Sequence, residues 1–109
     1  MAYYEEDDLD RFGEVGQHAP DLFKKFMDWY VACQAEGALS KREKALIGLA
    51  VAHTVQCPYC IDAYTQSSLE NGSNPEQMAE AIHMASAVRG GASLVHGVQC
   101  INVLKRLMM

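Results

Sequence analysis

The stretch SKREKALIGLAVAHTVQCPYC, residues 40–60, contains the strongest structural signals in the chain. It opens with a capping box, in which the Ser40 hydroxyl and the Glu43 carboxylate each accept a hydrogen bond from the other's backbone N–H. No charged residue occurs from Ala45 to Gln56, and apolar side chains cover every face of the predicted helix. Such a helix is expected to be buried on all sides, which in so short a chain predicts that a partner subunit covers one of them.

Length and composition predict a single all-α domain. The chain has 109 residues, of which 50% are hydrophobic, and this length is typical of one domain. Apolar side chains recur at helical spacing nearly everywhere, and no strand-like alternation is present. We expect about six helices: a short one within an N-terminal segment (1–19), and the others within a helical domain (20–109).

Several helix boundaries follow from capping signals. Pro20 is expected to open the helix that ends near Gly37, and Gly72 is expected to end the helix that begins at Pro58. Asn74, Pro75 and Gln77 predict another capped start, with a helix that runs to about Val88. The pair Gly90-Gly91 is expected to break this helix, so that a last helix covers about 92–107.

Charge and apolar patterning exclude several classes of protein. The formal net charge is −5, whereas nucleic-acid binding requires a basic surface. The acidic start MAYYEEDDLDRF lacks the features of a signal peptide, and no apolar run approaches the roughly 18 residues of a membrane span. We therefore expect a cytoplasmic protein that binds neither nucleic acid nor a membrane. In that compartment the four cysteines are core residues, metal ligands or redox-active thiols rather than a disulfide framework.

The sequence CPYC, residues 57–60, predicts reactive thiols. Pro58 suits the first helical position, which makes Cys57 the N-cap and places Cys60 in the first turn. The helix N-terminus favours a thiolate, but its contribution of roughly 0.3–1 kcal/mol lowers a thiol pKa by less than one unit. A further base or donor is needed, and His53 and Tyr64 are the candidates. The spacing also allows one cysteine to resolve a sulfenic acid on the other.

Two other interpretations of the pair remain open at this point. The cysteines could be small apolar residues packed beneath a proline turn. Alternatively, His53, Cys57, Cys60 and one of His96 or Cys100 could form a tetrahedral zinc site, because HTVQC and HGVQC both have the spacing H-x-x-x-C. Otherwise the sequence implies no cofactor. We expect the side chains at apolar helix positions outside the pair to belong to the core, namely Cys33, His83 and Cys100.

The segment REKALIGLAVAHTVQCPYCIDAYTQSSLENG, residues 42–72, resembles the carboxymuconolactone decarboxylase-like, alkylhydroperoxidase D-like family. The resemblance extends over about residues 20–107. The wording of CPYCIDAYT and RGGASLVHGVQ is also close to a peroxidase-like subgroup associated with arsenosugar-biosynthesis gene clusters. The resemblance implies an all-helical fold that assembles as trimers or hexamers, and thiol-dependent reduction of peroxide. It also implies that Cys60 attacks the peroxide and that Cys57 resolves the product.

The chain departs from the family pattern at two positions. Ala45 stands where the family has a proton-relay glutamate, and Tyr64 stands where it has a histidine; Glu43 is already used in the capping box. We therefore expect His53 to act as the base, with Tyr64 and His96 as supporting donors. The substrate is expected to be a peroxide or a related thiol-reactive compound, such as an arsenical, and the recycling thiol reductant is unknown. A metal- or arsenical-binding dithiol module without turnover, or a non-catalytic oligomeric scaffold, are the alternatives.

Overall fold

The computed structural model describes residues 5–109, so the first four residues of the predicted N-terminal segment lie outside the described residues. The described part of the chain is helical throughout and contains no strand, which confirms the all-α class. A 3-10 helix comes first, at Leu9–Gly16, and five α-helices follow: α1 (Pro20–Gln34), α2 (Lys41–Thr54), α3 (Pro58–Glu70), α4 (Pro75–Leu94) and α5 (Gly97–Leu107). None of the helices in residues 5–109 combines the length and apolar character that a membrane span requires.

Helix α2 is the centre of the fold and packs against both α3 and α4. Its buried residues, Ala45, Leu49 and Ala52, are four and three residues apart and therefore share one face. The opposite face is half exposed, since Ile47 and Val51 retain 50% and 52% of their surface. Burial of α2 on all sides, as the sequence suggests, is therefore not achieved within one chain.

Both predicted capping boxes are present. The Ser40 hydroxyl accepts from the Glu43 N–H at 3.0 Å, and the Glu43 carboxylate accepts from the Ser40 N–H at 2.9 Å. Asn74 and Gln77 make the same reciprocal pair at 2.8 and 2.9 Å. These bonds satisfy backbone donors that the first turn of a helix leaves unpaired, and they fix where α2 and α4 begin.

The link between α2 and α3 is a Schellman motif centred on Gln56. This residue has a φ of +56°, and its N–H donates to the carbonyl of His53 at 3.3 Å. The next N–H, that of Cys57, donates to the carbonyl of Ala52 at 3.1 Å. The two bonds satisfy the last carbonyls of α2. Because Cys57 is also the N-cap of α3, α3 begins immediately where α2 ends.

The predicted helix break at Gly90-Gly91 is wrong. Helix α4 continues through both glycines to Leu94 and ends at Val95, and α5 begins at Gly97. A glycine in a helix interior costs only about 1 kcal/mol relative to alanine, so it weakens a helix without ending it. The strong capping box at the start of α4 and the absence of proline after it allow the helix to continue.

The C-terminal part of the chain extends away from the rest. Every residue from Ser86 to Met109 is exposed. The Cα radius of gyration is 19.1 Å, with extents of 60 × 36 × 34 Å, whereas a compact domain of this length has a radius of about 13 Å. The expectation that Cys33, His83 and Cys100 belong to the core is wrong for the single chain, because all three are exposed. Within residues 5–109, no other helix packs closely on α5, which carries Cys100.

Candidate active site

The cysteine pair lies in the first turn of α3, as the sequence predicts. Cys57 is the N-cap and Pro58 follows at the first helical position. The backbone N–H of Cys60 donates to the Sγ of Cys57 at 3.3 Å, so a sulfur occupies the position where Ser, Thr, Asp or Asn usually caps a helix. Both thiols are free and partly buried. The two residues therefore form a reduced dithiol at a helix N-terminus.

The two thiols differ in acidity. The side-chain hydrogen bond from Cys60 is the main cause that lowers the pKa of Cys57, and the backbone N–H groups of Tyr59 and Cys60 lower it further. Burial is the main cause that raises the pKa of Cys60, to about 11, and the neighbouring Cys57 adds to it. The resting dithiol thus carries its first negative charge on Cys57, with the remaining proton on Cys60.

An open groove of about 850 Å³ borders the dithiol. Apolar side chains from the 3-10 helix and α1 form most of the wall that faces the cysteines. The groove is lined by Asp8, Leu9, Arg11, Phe12, Glu14, Val15, Phe26, Met27, Tyr30, Cys57, Tyr59, Cys60 and Ala63. A substrate that reaches the thiols therefore meets a mostly apolar surface.

The 3-10 helix is held against the groove by contacts at both of its ends. The Tyr59 hydroxyl, between the two cysteines in sequence, donates to the Asp8 carboxylate at 3.2 Å. Phe12 packs edge-on against Phe23 of α1, with ring centroids 5.3 Å apart. Gly16 allows this approach, because a Cβ there would overlap the Phe23 ring. The N-terminal segment is thus a wall of the candidate site.

Tyr64 lies one turn after Cys60 on α3, and its hydroxyl is 2.6 Å from the hydroxyl of Tyr30 on α1. Its ring packs on α2 at Gly48, where a Cβ would overlap it. Burial is the main cause that raises the pKa of Tyr64, and the bond to Tyr30 raises it further. Tyr64 therefore remains protonated at neutral pH and is a hydrogen-bond donor rather than a base.

A second cavity, of about 400 Å³, is lined by residues of α1, α2 and α3, among them Tyr64. Tyr64 lines this cavity, together with the buried Ala45 and with Lys44. Lys44 crosses its edge to donate to the carbonyl of Ala35 at 2.6 Å. Tyr30 lines the groove and Tyr64 lines the second cavity, so their hydrogen bond joins one residue of each space.

The predicted base, His53, is on the last turn of α2. Its Nδ1 is 2.8 Å from the carbonyl oxygen of Leu49; because a carbonyl only accepts, Nδ1 carries the proton and Nε2 is left as the acceptor. His53 is not one of the described residues that line the groove. His96, the other predicted donor, is exposed at the start of α5 and pairs with Gln99 at 2.7 Å.

Two further predictions concern Glu43 and a zinc site. Glu43 is engaged in the capping box. Within residues 5–109, no group of three or more His, Cys, Asp or Glu side chains is placed to hold a metal ion, and the zinc set of the sequence analysis is not assembled.

The sequence analysis did not predict three residues of the site, namely Tyr30, Asp8 and Tyr59. Tyr30 occurs at an apolar position of α1, where a tyrosine reads as a core residue, and its partner is 34 positions away. The contact between Asp8 and Tyr59 spans 51 positions. Neither pair has a local signature. An aromatic residue with a hydroxyl on an otherwise apolar helix face is the one hint that Tyr30 offered.

The helices and the dithiol together define an all-helical protein with a paired-cysteine site. Residues 20–102 match the carboxymuconolactone decarboxylase family, and the chain belongs to that family, which confirms the resemblance. The family includes decarboxylases and alkylhydroperoxidases.

Relatives and solved structures agree with this assignment. An uncharacterized protein in the cox locus of Paracoccus denitrificans is 36% identical over 95 residues, covering 87% of this chain and 86% of that protein. A carboxymuconolactone decarboxylase family protein of Legionella pneumophila is 28% identical with a TM-score of 0.70, covering 93% of this chain and 90% of that one. A protein from Methanobacterium thermoautotrophicum is also 28% identical, with a TM-score of 0.73 and coverage of 77% and 94%.

Proposed function

We propose that the chain is a thiol-dependent, peroxidase-like oxidoreductase whose redox centre is the Cys57/Cys60 pair. The observation that carries the proposal is a free dithiol at a helix N-terminus that opens into a large, mostly apolar groove. The helix N-terminus favours a thiolate, and the groove gives a peroxide access to it. The substrate is a hydroperoxide or a related thiol-reactive compound.

The reaction balances with one proton taken from solvent. Cys60 passes its proton to the Cys57 thiolate and attacks the peroxide, so that an S–O bond forms and the O–O bond breaks. Cys60 becomes a sulfenic acid, and the departing alkoxide takes up a proton to leave as an alcohol. The Cys57 thiol then attacks the sulfenic sulfur, which closes a disulfide and releases water. A dithiol reductant returns the pair to its starting state, in keeping with a cytoplasmic setting.

The assignment of Cys60 as nucleophile follows the family resemblance, whereas the pKa directions favour Cys57 as the resting thiolate. The two are compatible if the Cys57 thiolate takes the proton of Cys60, because this transfer leaves a Cys60 thiolate next to the groove that both residues line. His53 does not line the groove, and in these steps the Cys57 thiolate is the base that takes the Cys60 proton.

Single-cysteine variants test this order. Cys33 and Cys100 are exposed and would consume oxidant themselves, so the assay uses a Cys33→Ser/Cys100→Ser background. One equivalent of hydroperoxide should give an intramolecular Cys57–Cys60 disulfide, detected by mass spectrometry after alkylation. In Cys57→Ser, which removes the thiolate that takes the Cys60 proton, a sulfenic-acid trap should label Cys60 slowly at neutral pH and faster as the pH rises, because burial still raises the pKa of Cys60; in Cys60→Ser, little label should appear. Labelling of Cys57 alone would reverse the order, and the absence of any disulfide would contradict the proposal.

The same experiment separates the alternative functions. A dithiol that binds a trivalent arsenical one-to-one, and forms no disulfide with peroxide, would indicate a binding module without turnover. If Cys57→Ser/Cys60→Ser keeps its assembly and the wild type neither reacts nor binds, the chain is a scaffold.

We also propose that the chain is a homo-oligomer, a trimer or a hexamer. The support is the run of exposed apolar side chains on α5 and the end of α4, where Leu94, Val98, Ile101 and Leu104 retain 81%, 57%, 51% and 48% of their surface. A monomeric soluble protein rarely leaves such a continuous apolar surface in water. A second copy of the same chain offers a matching surface.

A further inference from the structure

We propose that Tyr30 and Tyr64 form a two-hydroxyl relay that carries the proton required by the leaving alkoxide from the second cavity into the dithiol groove. This inference rests on the proposed peroxidase function, because only O–O cleavage creates that demand. Tyr30 is assigned as the proton donor to the leaving oxygen. Tyr64 is its positioning and reloading partner.

The two hydroxyls are placed for proton transfer. They are 2.6 Å apart, which is a short hydrogen bond for two oxygens. Tyr30 lines the groove with both cysteines, and Tyr64 lines the second cavity. A hydrogen bond between one residue of each space gives a proton a path from the second cavity to the groove.

The tyrosine pair has two hydroxyl hydrogens, of which its own hydrogen bond uses one. Each phenol has a single hydrogen to donate and can also accept. When Tyr64 donates to the Tyr30 oxygen, the Tyr30 hydrogen is left to point elsewhere, and the groove that Tyr30 lines is where the alkoxide forms. Tyr30 gives its proton to the alkoxide, takes the proton of Tyr64, and Tyr64 recovers one from water in the second cavity. Each O–H bond that breaks is replaced, so both phenols end the cycle unchanged.

Both rings are packed against neighbouring residues. The Tyr64 ring lies so close to Gly48 of α2 that a Cβ at position 48 would overlap it. Tyr30 stacks on Phe26, with ring centroids 5.6 Å apart. Both rings are thus fixed by packing, which is what a proton donor needs if it is to meet the leaving oxygen without reorganisation.

Position 45 forms part of the wall of the second cavity. Ala45 is buried, at 3% exposure, yet it lines the cavity with Tyr64 and Lys44. Its small side chain leaves space beside the tyrosine, and Tyr64 recovers its proton there from water that the cavity, of about 400 Å³, admits. The polar residues at the cavity rim, among them Lys41 and Glu70, keep that space accessible to water.

The test compares two oxidants that differ in their need for a proton. Cleavage of the O–O bond releases a strongly basic alkoxide from tert-butyl hydroperoxide. The same cleavage releases acetate from peracetic acid, and acetate needs no proton at neutral pH. The rate of Cys57–Cys60 disulfide formation is measured by acid quench in the background without Cys33 and Cys100. Tyr30→Phe should slow the reaction with the hydroperoxide by roughly 100-fold, in the range of general acid catalysis, and that with peracetic acid by less than about threefold.

Tyr64→Phe should slow the reaction with the hydroperoxide by roughly tenfold, since Tyr30 keeps its own hydrogen but loses its partner. The rate with the peracid should again change little. The double variant should be no slower than Tyr30→Phe alone, because the two residues act in series. Tyr59→Phe is the matched control, because it removes another phenol that lines the groove and donates to Asp8. This variant should change the rates with both oxidants by the same factor.

Equal losses with both oxidants in Tyr30→Phe would indicate a structural role and overturn the relay, even though the wild type reacts. A wild type that forms no disulfide with either oxidant would overturn the proposed function and the relay together. Since these two results are read from different proteins, the failure of one proposal is distinguished from the failure of the other.

Discussion

The backbone N–H of Cys57 donates to the carbonyl oxygen of Ala52 at 3.1 Å, so the residue that completes the last turn of α2 is also the one that caps α3. The dithiol is therefore attached directly to the central helix of the fold, with no flexible linker between them. Ala52 is itself buried, at 2% exposure. The position of the first sulfur is consequently set by the core rather than by a surface loop.

This connection depends on Gln56, whose left-handed φ of +56° is unfavourable for a residue with a Cβ. Gln56→Gly should raise the free energy of unfolding by about 0.5–1 kcal/mol, measured by urea titration at a fixed protein concentration. Gly72 has the same role after α3, with a φ of +90°, and is the matched control: Gly72→Ala should lower the free energy by a similar amount. A loss of stability in Gln56→Gly would mean that the glutamine side chain, rather than the turn, stabilises the junction.

Gly48 is a second position where the backbone itself shapes the site. Gly48→Ala would place a Cβ inside the Tyr64 ring, and we expect a loss of about 1–3 kcal/mol, the usual effect of overpacking. The displaced ring also breaks the bond to Tyr30, so disulfide formation with alkyl hydroperoxide should slow. Gly90→Ala is the control, because no atom lies within 4 Å of a Cβ there and alanine favours the helix interior. Equal behaviour of the two variants would contradict the packing described here.

The parts of the fold that the sequence predicts are those with local causes. The capping pairs at Ser40 and Asn74 and the N-cap at Cys57 are readable because each uses side chains within three residues. Gly72 is readable because glycine is the usual left-handed residue. Gln56 adopts the same conformation without that signal, because the hydrogen bonds of the junction, from Gln56 N–H to His53 and from Cys57 N–H to Ala52, close the turn there.

The unpredicted features depend on distant contacts. Helix propensity alone predicts a break at Gly90-Gly91. Propensity is a weak constraint, however, when the helix on either side is intact. The Tyr30–Tyr64 bond joins residues 34 positions apart, and no spacing rule encodes it. The CPYC spacing predicted the cysteine pair, and the family resemblance marked Ala45 and Tyr64 as positions where the chain departs from the family pattern. Only the fold indicates that a tyrosine from α1 meets the site.

The pKa directions predict how the two thiols respond to pH. A lowered pKa means that the Cys57 thiolate forms at lower pH, so its alkylation by iodoacetamide should reach half its maximal rate below pH 9.0, the ordinary pKa. The raised pKa of Cys60 should move its half-maximal rate to near pH 11. Rates are followed by mass spectrometry of the peptides after timed quenching, in the background that lacks Cys33 and Cys100.

Cys60→Ala provides the control for that profile. The main cause that lowers the pKa of Cys57 is the side-chain hydrogen bond from Cys60, and alanine removes it while the backbone N–H at position 60 stays. The midpoint for Cys57 should therefore shift to higher pH. If the midpoint does not change, the helix N-terminus alone sets the acidity of Cys57; if Cys60 reacts before Cys57 in the parent protein, the order of acidity described here is wrong.

The exposed apolar surface of α5 predicts an assembly that depends on that helix. The parent protein should have the mass of a trimer or hexamer by light scattering, and Ile101→Asp/Leu104→Asp should dissociate it, because each aspartate would bury an unpaired charge at the interface. The control is Arg106→Gln, which removes a charge from the same helix without adding one to its apolar residues, and it should keep the parent mass. Circular dichroism at matched concentration shows whether the aspartate variant still folds. A parent protein that is monomeric across a hundredfold range of concentration would contradict the proposed assembly, and a folded aspartate variant that keeps the parent mass would place the interface elsewhere on the chain.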